Sequence, residues 1–225
     1  MKRLLYTTLF VSLVLVLAVA AVFALKGPAP AQTAAAAPAA ESASAPALAP
    51  TATDKYNFIA LPLDSSDSFS YTASGLAGYI TGTKKVARWD AASQSYQTYT
   101  VGAPSVDFSL EVGGAYFLLL DSSADNVASF VGDVPDAGSV SFALTKPSGS
   151  GCIFNTISIP LDQTGINTAA DLASAIGGID KVAQWDATNQ LYDTYTVGAP
   201  GTPFNVSIGY PYFVCANSSA PNNWP

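Results

Sequence analysis

One segment of the chain occurs twice. Residues 84–104, KKVARWDAASQSYQTYTVGAP, return as residues 180–200, DKVAQWDATNQLYDTYTVGAP, so that Trp89 and Trp185 are 96 residues apart. An internal repeat of this kind predicts that each copy folds as the same supersecondary unit. We therefore expect two small modules in tandem. The same offset aligns further pairs: Leu76 with Leu172, Ile80 with Ile176, Phe108 with Phe204, and Tyr116 with Tyr212.

Each copy contains the parts of a small β-rich unit in the same order. A strand, NFIALPL or NTISIPL, ends with Pro62 or Pro160, which suggests an edge strand or an exit from the sheet. A short helix follows, and in the second copy Thr168 and Asp171 predict a capping box, with Gly177-Gly178 as the stop. The strand KVARWDA or KVAQWDA then turns back into SYQTYTVG or LYDTYTVG as a hairpin.

The remaining parts are also predicted as strands. Apolar and polar residues alternate over residues 108–112 and 204–208, which indicates a strand with one wet face. After a glycine turn, each copy continues with the apolar strand AYFLLL or PYFVCA. Between the copies, residues around 129–131 and 139–145 predict two more strands, which have no counterpart outside the pair.

The predicted fold class is mostly β (α+β). It consists of two tandem small β modules, each with one short helix, after an N-terminal apolar helix and a disordered linker. The boundaries are residues 54–128 for the first module, 129–151 for the inter-module strands and 152–225 for the second module.

The N-terminal residues predict a location outside the cytoplasm. Lys2 and Arg3 precede an uncharged apolar run of about 22 residues, long enough to cross a bilayer as a helix. Residues 1–26 are a signal peptide or an uncleaved signal anchor, and both alternatives stay open. Residues 27–53 are almost entirely Ala, Pro and Ser, which predicts a disordered spacer. We expect an extracellular or cell-surface protein, either secreted or anchored by the N-terminal helix.

The order of these motifs resembles a β-rich module of large secreted and surface-anchored bacterial and archaeal proteins. Its usual pattern is GWNLISLP, VWxYD, WxxY and PGKGYW; the first copy here has YNFIALP, VARWD, SYQTY and LEVGGAYF, and the second FNTISIP, VAQWD, LYDTY and VSIGYPYF. Tyr56 and Phe154 replace the usual Gly-Trp, and the Lys of PGKGYW is absent. The resemblance covers roughly residues 56–216. It implies an extracellular, modular, mostly β protein, with no established active site to transfer.

Composition argues against several classes of function. The net charge is −7, so the chain lacks the basic surface that nucleic acid requires. There is no histidine, the commonest general base and metal ligand. The 16 acidic residues form no paired-carboxylate motif and no EF-hand spacing. We predict no enzyme activity, no catalytic or metal-binding residues and no cofactor.

The aromatic residues of the repeat are the candidates for ligand contact. Strand alternation places Trp89 and Trp185 on faces that they share with alanines, so we expect both in the core. The tyrosines of the two hairpins form a candidate ligand platform if they are exposed, and packing pairs if they are buried; they are Tyr96, Tyr99, Tyr192 and Tyr195. The sequence leaves these two alternatives open.

The two cysteines, Cys152 and Cys215, predict a disulfide, because outside the cytoplasm such a pair is most often oxidised. Cys152 opens the first strand of the second module and Cys215 lies in its last strand, so these strands should be neighbours. The corresponding residues of the first module are Asp54 and Leu119, and the bridge therefore belongs to the second module only.

These features favour a non-catalytic extracellular structural or adhesive cell-surface protein. One alternative is a carbohydrate- or cell-wall-binding module that uses exposed tyrosines. A second is a surface subunit that assembles head to tail, because the unmatched segment from Phe130 to Thr145 suggests open outer edges. The partners implied are a cell-wall glycan, other surface proteins or further copies of the chain. Nucleic acid is not expected, and the membrane is contacted only through the N-terminal segment.

Overall fold

The structure, a computed structural model, describes residues 54–121 and 127–225. The predicted leader and spacer, residues 1–53, lie outside the described residues. The first repeat consists of β1 (Lys55–Ala60), α1 (Ala73–Tyr79), β2 (Thr83–Asp90), β3 (Ser95–Thr100) and β4 (Ala115–Leu120). These strands form one antiparallel sheet in the order β1-β4-β2-β3.

The second repeat has the same topology. After the two-residue strand β5 (Phe142–Ala143), the chain forms β6 (Cys152–Ser158), α2 (Ala169–Ile176), β7 (Ile179–Asp186), β8 (Leu191–Thr196), β9 (Pro211–Asn217) and β10 (Asn223–Trp224). The sheet order is β6-β9-β7-β8, and β5 pairs with β10 as a separate ribbon. The mostly β fold class, with one short helix in each repeat, is thus confirmed.

Local sequence accounts for the limits of the helices. Thr168 accepts a hydrogen bond from the Asp171 N–H, and the Asp171 carboxylate accepts one from the Thr168 N–H, so the predicted capping box is present. Thr72 caps α1 by accepting from the N–H of Gly75, which has no side chain to return the bond. Helix α2 ends at Gly177, whose φ of 77° is strained for a residue with a Cβ.

Both faces of each sheet contribute side chains to a hydrophobic core. The outer face of each sheet packs against its own helix, whereas the two inner faces pack against each other, so the two repeats belong to one compact unit. In β4, Tyr116 and Leu118 enter the outer core of the first repeat, and Phe117 and Leu119 enter the central core between the sheets. A strand covered on both faces is expected to be apolar throughout, which explains the run AYFLLL.

The prediction of strands at residues 108–112 and 204–208 is wrong. Phe108 and Leu110 are buried while Ser109 and Glu111 are exposed, so the alternation in the first segment is real. However, each segment forms only one isolated β-bridge, to the N-cap threonine of the helix in its own repeat. Ser109 bridges to Thr72, and Asn205 bridges to Thr168. The pattern reflects the one-sided burial of an extended chain and not a hydrogen-bonded ladder.

The segment between the repeats also differs from its prediction. Residues 129–131 contain no strand, and of residues 139–145 only Phe142–Ala143 pair in a sheet. The segment instead covers both outer cores of its own chain. Phe130 packs on the first repeat, and Phe142 and Leu144 join Trp224 on the second.

Candidate functional site

The central core is built from reciprocal contacts between the repeats. The Trp89 indole N–H donates to the Phe154 carbonyl over 2.7 Å, and the Trp185 indole N–H donates to the Tyr56 carbonyl over 2.8 Å. Tyr56 and Phe154 are equivalent residues of the two copies. The repeats therefore meet as the subunits of a twofold dimer would, with the same patch used on both sides.

Two glutamines extend this symmetry to the sheet edges. The Gln94 amide donates to the Phe154 carbonyl over 2.8 Å and accepts from its N–H over 3.2 Å. The Gln190 amide makes the same pair of bonds with Tyr56, at 2.9 and 2.8 Å. Each amide thus takes the place of a neighbouring strand at one residue of a sheet edge. Gln94 does so for the outer edge of β6 and Gln190 for that of β1. Both glutamines have positive φ, 51° and 57°, at the tips of their hairpins.

Tyr96 and Tyr192 meet at the centre of the interface. Each stacks edge-on against the tryptophan opposite it in its own hairpin, with centroid distances of 4.9 Å to Trp89 and 4.8 Å to Trp185. Their hydroxyls lie 3.1 Å apart. Burial raises the pKa of Tyr96 to about 12, and burial together with the nearby Tyr96 raises the pKa of Tyr192 further, so both are neutral near pH 7.

The four hairpin tyrosines are not brought together on one surface. Tyr96 and Tyr192 are half-buried against the central core, Tyr99 packs against the outer core of the first repeat, and Tyr195 packs against that of the second. Packing, one of the two alternatives that the sequence left open, is the arrangement observed. Trp89 and Trp185 lie half-buried against the central core.

The disulfide between Cys152 and Cys215 is confirmed. It joins the neighbouring strands β6 and β9, with the two Cα atoms 5.3 Å apart, and Cys215 is fully buried in the central core. At the position equivalent to Cys152, the first repeat has Asp54, whose carboxylate accepts from the Lys84 ammonium over 2.8 Å.

The aspartates that follow the tryptophans serve the hairpin turns. Asp90 accepts from the Ser93 hydroxyl and the Ala92 N–H, and these bonds hold its pKa below the usual value. Asp186 accepts from the N–H groups of Thr188 and Asn189, with the same effect on its pKa. These carboxylates stabilise the loops, as is usual for aspartate at the start of a turn.

A polar cleft of about 500 Å³ opens beside Trp89. Its walls come from the first repeat, from the segment between the repeats and from β6 of the second repeat, and include Arg88, Trp89, Glu111, Ser141, Phe142 and Thr156. The Arg88 guanidinium is held in place by the Gln97 side chain at 2.8 Å, the Ser109 carbonyl at 3.3 Å and the ring of Phe108 beneath it.

Several polar groups in this cleft have no protein partner. Within residues 54–121 and 127–225, the Glu111 carboxylate and the hydroxyls of Ser141 and Thr156 make no hydrogen bond. The half-buried residues Trp89 and Phe142 line the same space. The arrangement offers acceptors and donors beside an aromatic surface, which suits a polar ligand with apolar faces.

A second cleft, of about 360 Å³, is mostly apolar and lies where the two repeats and the connecting segment meet. Pro62 and Pro160 line it. Two of its polar side chains are already engaged, because Ser158 donates to the Gly113 carbonyl and Asp162 accepts from the Gly138 N–H. This cleft therefore offers few groups to orient a ligand.

Sequence reasoning missed both the edge-pairing glutamines and the polar cleft. A signal for the glutamines was present, since both copies have Gln five residues after the tryptophan. The cleft had no such signal, because its residues differ between the copies: Arg88 and Glu111 correspond to Gln184 and Ser207.

Comparison with models of known protein families, with curated protein sequences and with solved structures finds no match for this chain. No helix among the described residues is both long and apolar enough to cross a membrane. In the same part of the chain, no three His, Cys, Asp or Glu side chains are grouped as metal ligands would be.

Proposed function

We propose that this chain is a non-catalytic extracellular protein with a structural or adhesive role at the cell surface. The observation that carries the proposal is the reciprocal interface, through which the two repeats share one core and form a single block. Such a block presents two joined copies of a module in a constant relative orientation, a property suited to a surface spacer or an adhesive head.

The disulfide supports a location outside the cytoplasm. Disulfides persist in oxidising compartments, and Cys152–Cys215 lies in the shared core. The apolar run and the Ala/Pro-rich residues that precede Asp54 in the sequence agree with export and display at a distance from a membrane.

The use of the acidic residues supports a non-catalytic role. Four aspartates with lowered pKa, namely Asp90, Asp107, Asp171 and Asp186, all bond to nearby hydroxyl, amide or backbone N–H groups of a loop or helix start. A catalytic acid needs the opposite shift, toward neutral pH. The sequence also has no histidine to act as a base.

Of the two alternatives, head-to-tail assembly is no longer supported by the segment that suggested it. The segment from Phe130 to Thr145 packs on both outer cores of its own chain. The backbone of Asp133 forms an antiparallel β-bridge with that of Asp64 in the first repeat. Carbohydrate binding through the hairpin tyrosines is likewise not favoured, because these side chains are divided among three cores.

Surface display can be tested on intact cells that produce the full chain with a C-terminal epitope tag. We expect added protease to remove the tag from intact cells, and both cysteines to react with a maleimide only after reduction and unfolding. A cytoplasmic protein of the same cells serves as the control for lysis. Protection of the tag in intact cells, together with thiols that react without reductant, would contradict the proposal.

A retention assay on isolated cell envelopes then separates the two roles. An adhesive protein is expected to sediment with envelopes from which it was absent, whereas a structural protein is expected to remain soluble. The same chain, reduced and unfolded in urea before it is diluted into the assay, controls for retention caused by unfolding.

A further inference from the structure

We infer that the polar cleft beside Trp89 binds a neutral oligosaccharide. The volume of the cleft, about 500 Å³, is within the range of small-molecule sites and suits one or two sugar rings. The inference adds a ligand to the proposed surface role and does not depend on it.

The chemistry of the lining is complementary to a sugar. A pyranose ring has hydroxyl groups around its rim and C–H groups on its faces. The Glu111 carboxylate can accept from hydroxyls, and the Ser141 and Thr156 hydroxyls can both donate and accept. Trp89 and Phe142 are half-buried lining residues, and the parts of these side chains that remain exposed would provide apolar surface for the C–H faces.

The charges favour a neutral ligand over an anionic one. Asp90 and Glu111 lie in the cleft with a single cation, Arg88, so the lining has a net negative charge. Arg88 is also engaged by Gln97 and by the Ser109 carbonyl, which leaves fewer of its N–H groups free for an incoming carboxylate or phosphate. An anionic ligand would be repelled, whereas a polyhydroxylated neutral ligand meets both donors and acceptors.

The fold provides this cleft on one side of the pseudo-symmetric unit. In the second repeat, Gly114 and Ala115 are replaced by the larger Tyr210 and Pro211, and Glu111 is replaced by Ser207. The wall formed by Ser141 and Phe142 comes from the connecting segment, which occurs once in the chain. Trp185 is the counterpart of Trp89 on the side that lacks the cleft, so it serves as an internal control for ligand binding.

The experiment uses the full chain, purified in mild detergent and labelled with 5-fluorotryptophan. The sequence has three tryptophans, so three ¹⁹F signals are expected, each assigned by a Trp→Phe variant. The probes are the neutral tetrasaccharides cellotetraose, chitotetraose and mannotetraose, with a tetragalacturonate as the acidic comparison. Binding at the cleft should shift the Trp89 signal in a saturable way with at least one neutral probe and leave the Trp185 signal in place. The Trp224 ring stacks on Phe142 of the cleft wall, so Trp185 is the reference signal for binding.

Two variants test the assignment. Glu111→Ser introduces the residue of the second repeat and should weaken binding about tenfold, because a charged acceptor is lost. Ser207→Ala, at the equivalent position outside the cleft, should leave the affinity unchanged. Unshifted Trp185 and Trp224 signals in the free variants show that the fold is intact.

The inference is overturned by any of three results: no neutral probe shifts Trp89 at millimolar concentration, the acidic probe binds more tightly than every neutral one, or Glu111→Ser binds as the parent does. None of these results changes the expected surface exposure in the protease experiment, so failure of the cleft and failure of the proposed function are distinguishable.

Discussion

The hydroxyls of Tyr96 and Tyr192 lie 3.1 Å apart, although 96 residues of chain separate them. These are equivalent residues of the two repeats. In a twofold arrangement, a residue touches its own counterpart only close to the axis, so this contact marks the pseudo-twofold axis of the protein. The tryptophan and glutamine contacts are disposed in reciprocal pairs on either side of it.

Coupling between the two tyrosines should be measurable in a double-mutant cycle. Tyr96→Phe removes the hydrogen-bond partner of the Tyr192 hydroxyl, while replacement of both leaves neither hydroxyl behind. We expect a coupling free energy of about 1 kcal/mol from urea unfolding of the two single variants and the double variant. Tyr210→Phe, at a side chain that is 63% exposed, is the control and should change stability by less than about 0.5 kcal/mol. Strict additivity would show that the two hydroxyls do not interact.

Alkaline pH should destabilise the protein because buried tyrosines must then lose their protons. Burial raises the pKa values of Tyr96 and Tyr116 to about 12, against about 10 in an unfolded chain. The folded protein then holds more protons than the unfolded chain between these values. The contribution of these tyrosines to stability is therefore constant below pH 10 and is lost as pH rises toward 12.

This pH dependence can be followed by urea unfolding at several pH values, with tyrosinate absorbance as the second probe. The Tyr96→Phe, Tyr192→Phe double variant should lose stability less steeply than the parent over the same interval. Equal slopes in the two proteins would show that this pair does not contribute.

The glutamines of the hairpin tips should contribute equally to stability. Gln94→Asn and Gln190→Asn retain a residue that tolerates positive φ but shorten the side chain, so the amide no longer reaches the strand edge. We expect each variant to lose about 1–2 kcal/mol of unfolding free energy, because the backbone N–H of Tyr56 or Phe154 loses its acceptor, whereas the carbonyl keeps its tryptophan donor. Gln163→Asn makes the same chemical change in a loop and should cost less than about 0.5 kcal/mol. Loss in only one of the two variants would contradict the reciprocal interface.

Removal of the disulfide should weaken both repeats together. The bridge closes a loop with a sequence separation of 63 residues, for which the chain-entropy model predicts about 4 kcal/mol. Because Cys215 lies in the core shared by the repeats, the double variant Cys152→Ala, Cys215→Ala should still unfold in one transition, at lower urea concentration. Two separate transitions, one of them at the parent's midpoint, would show that the repeats fold independently. The parent protein in reductant is the matched comparison.

Much of the local structure follows from the sequence. The repeat predicts two copies of one topology, the Thr168–Asp171 capping box predicts the start of a helix, and the expected disulfide between Cys152 and Cys215 predicts that β6 and β9 are neighbours. These predictions succeed because they rest on short-range rules: side-chain periodicity, capping hydrogen bonds and the reach of a disulfide.

Alternation of apolar and polar residues predicts which side of a segment is buried, but it does not predict whether the segment pairs as a strand. Phe108 and Leu110 alternate with polar residues as a strand would, yet their backbone forms no ladder. The sequence shows which side of an extended segment is covered, but it does not show whether a neighbouring strand supplies the hydrogen bonds.

The sequence by itself determined that Trp89 and Tyr96 occupy hairpin strands and that the chain contains the same module twice. Only the tertiary structure decided that the inner face of one module is covered by the inner face of the other, that Gln94 and Gln190 pair with opposite sheet edges, and that a cleft remains on one side. The physical reason is that periodicity specifies the apolar face of a strand, whereas the partner of that face is set by contacts between residues about a hundred positions apart.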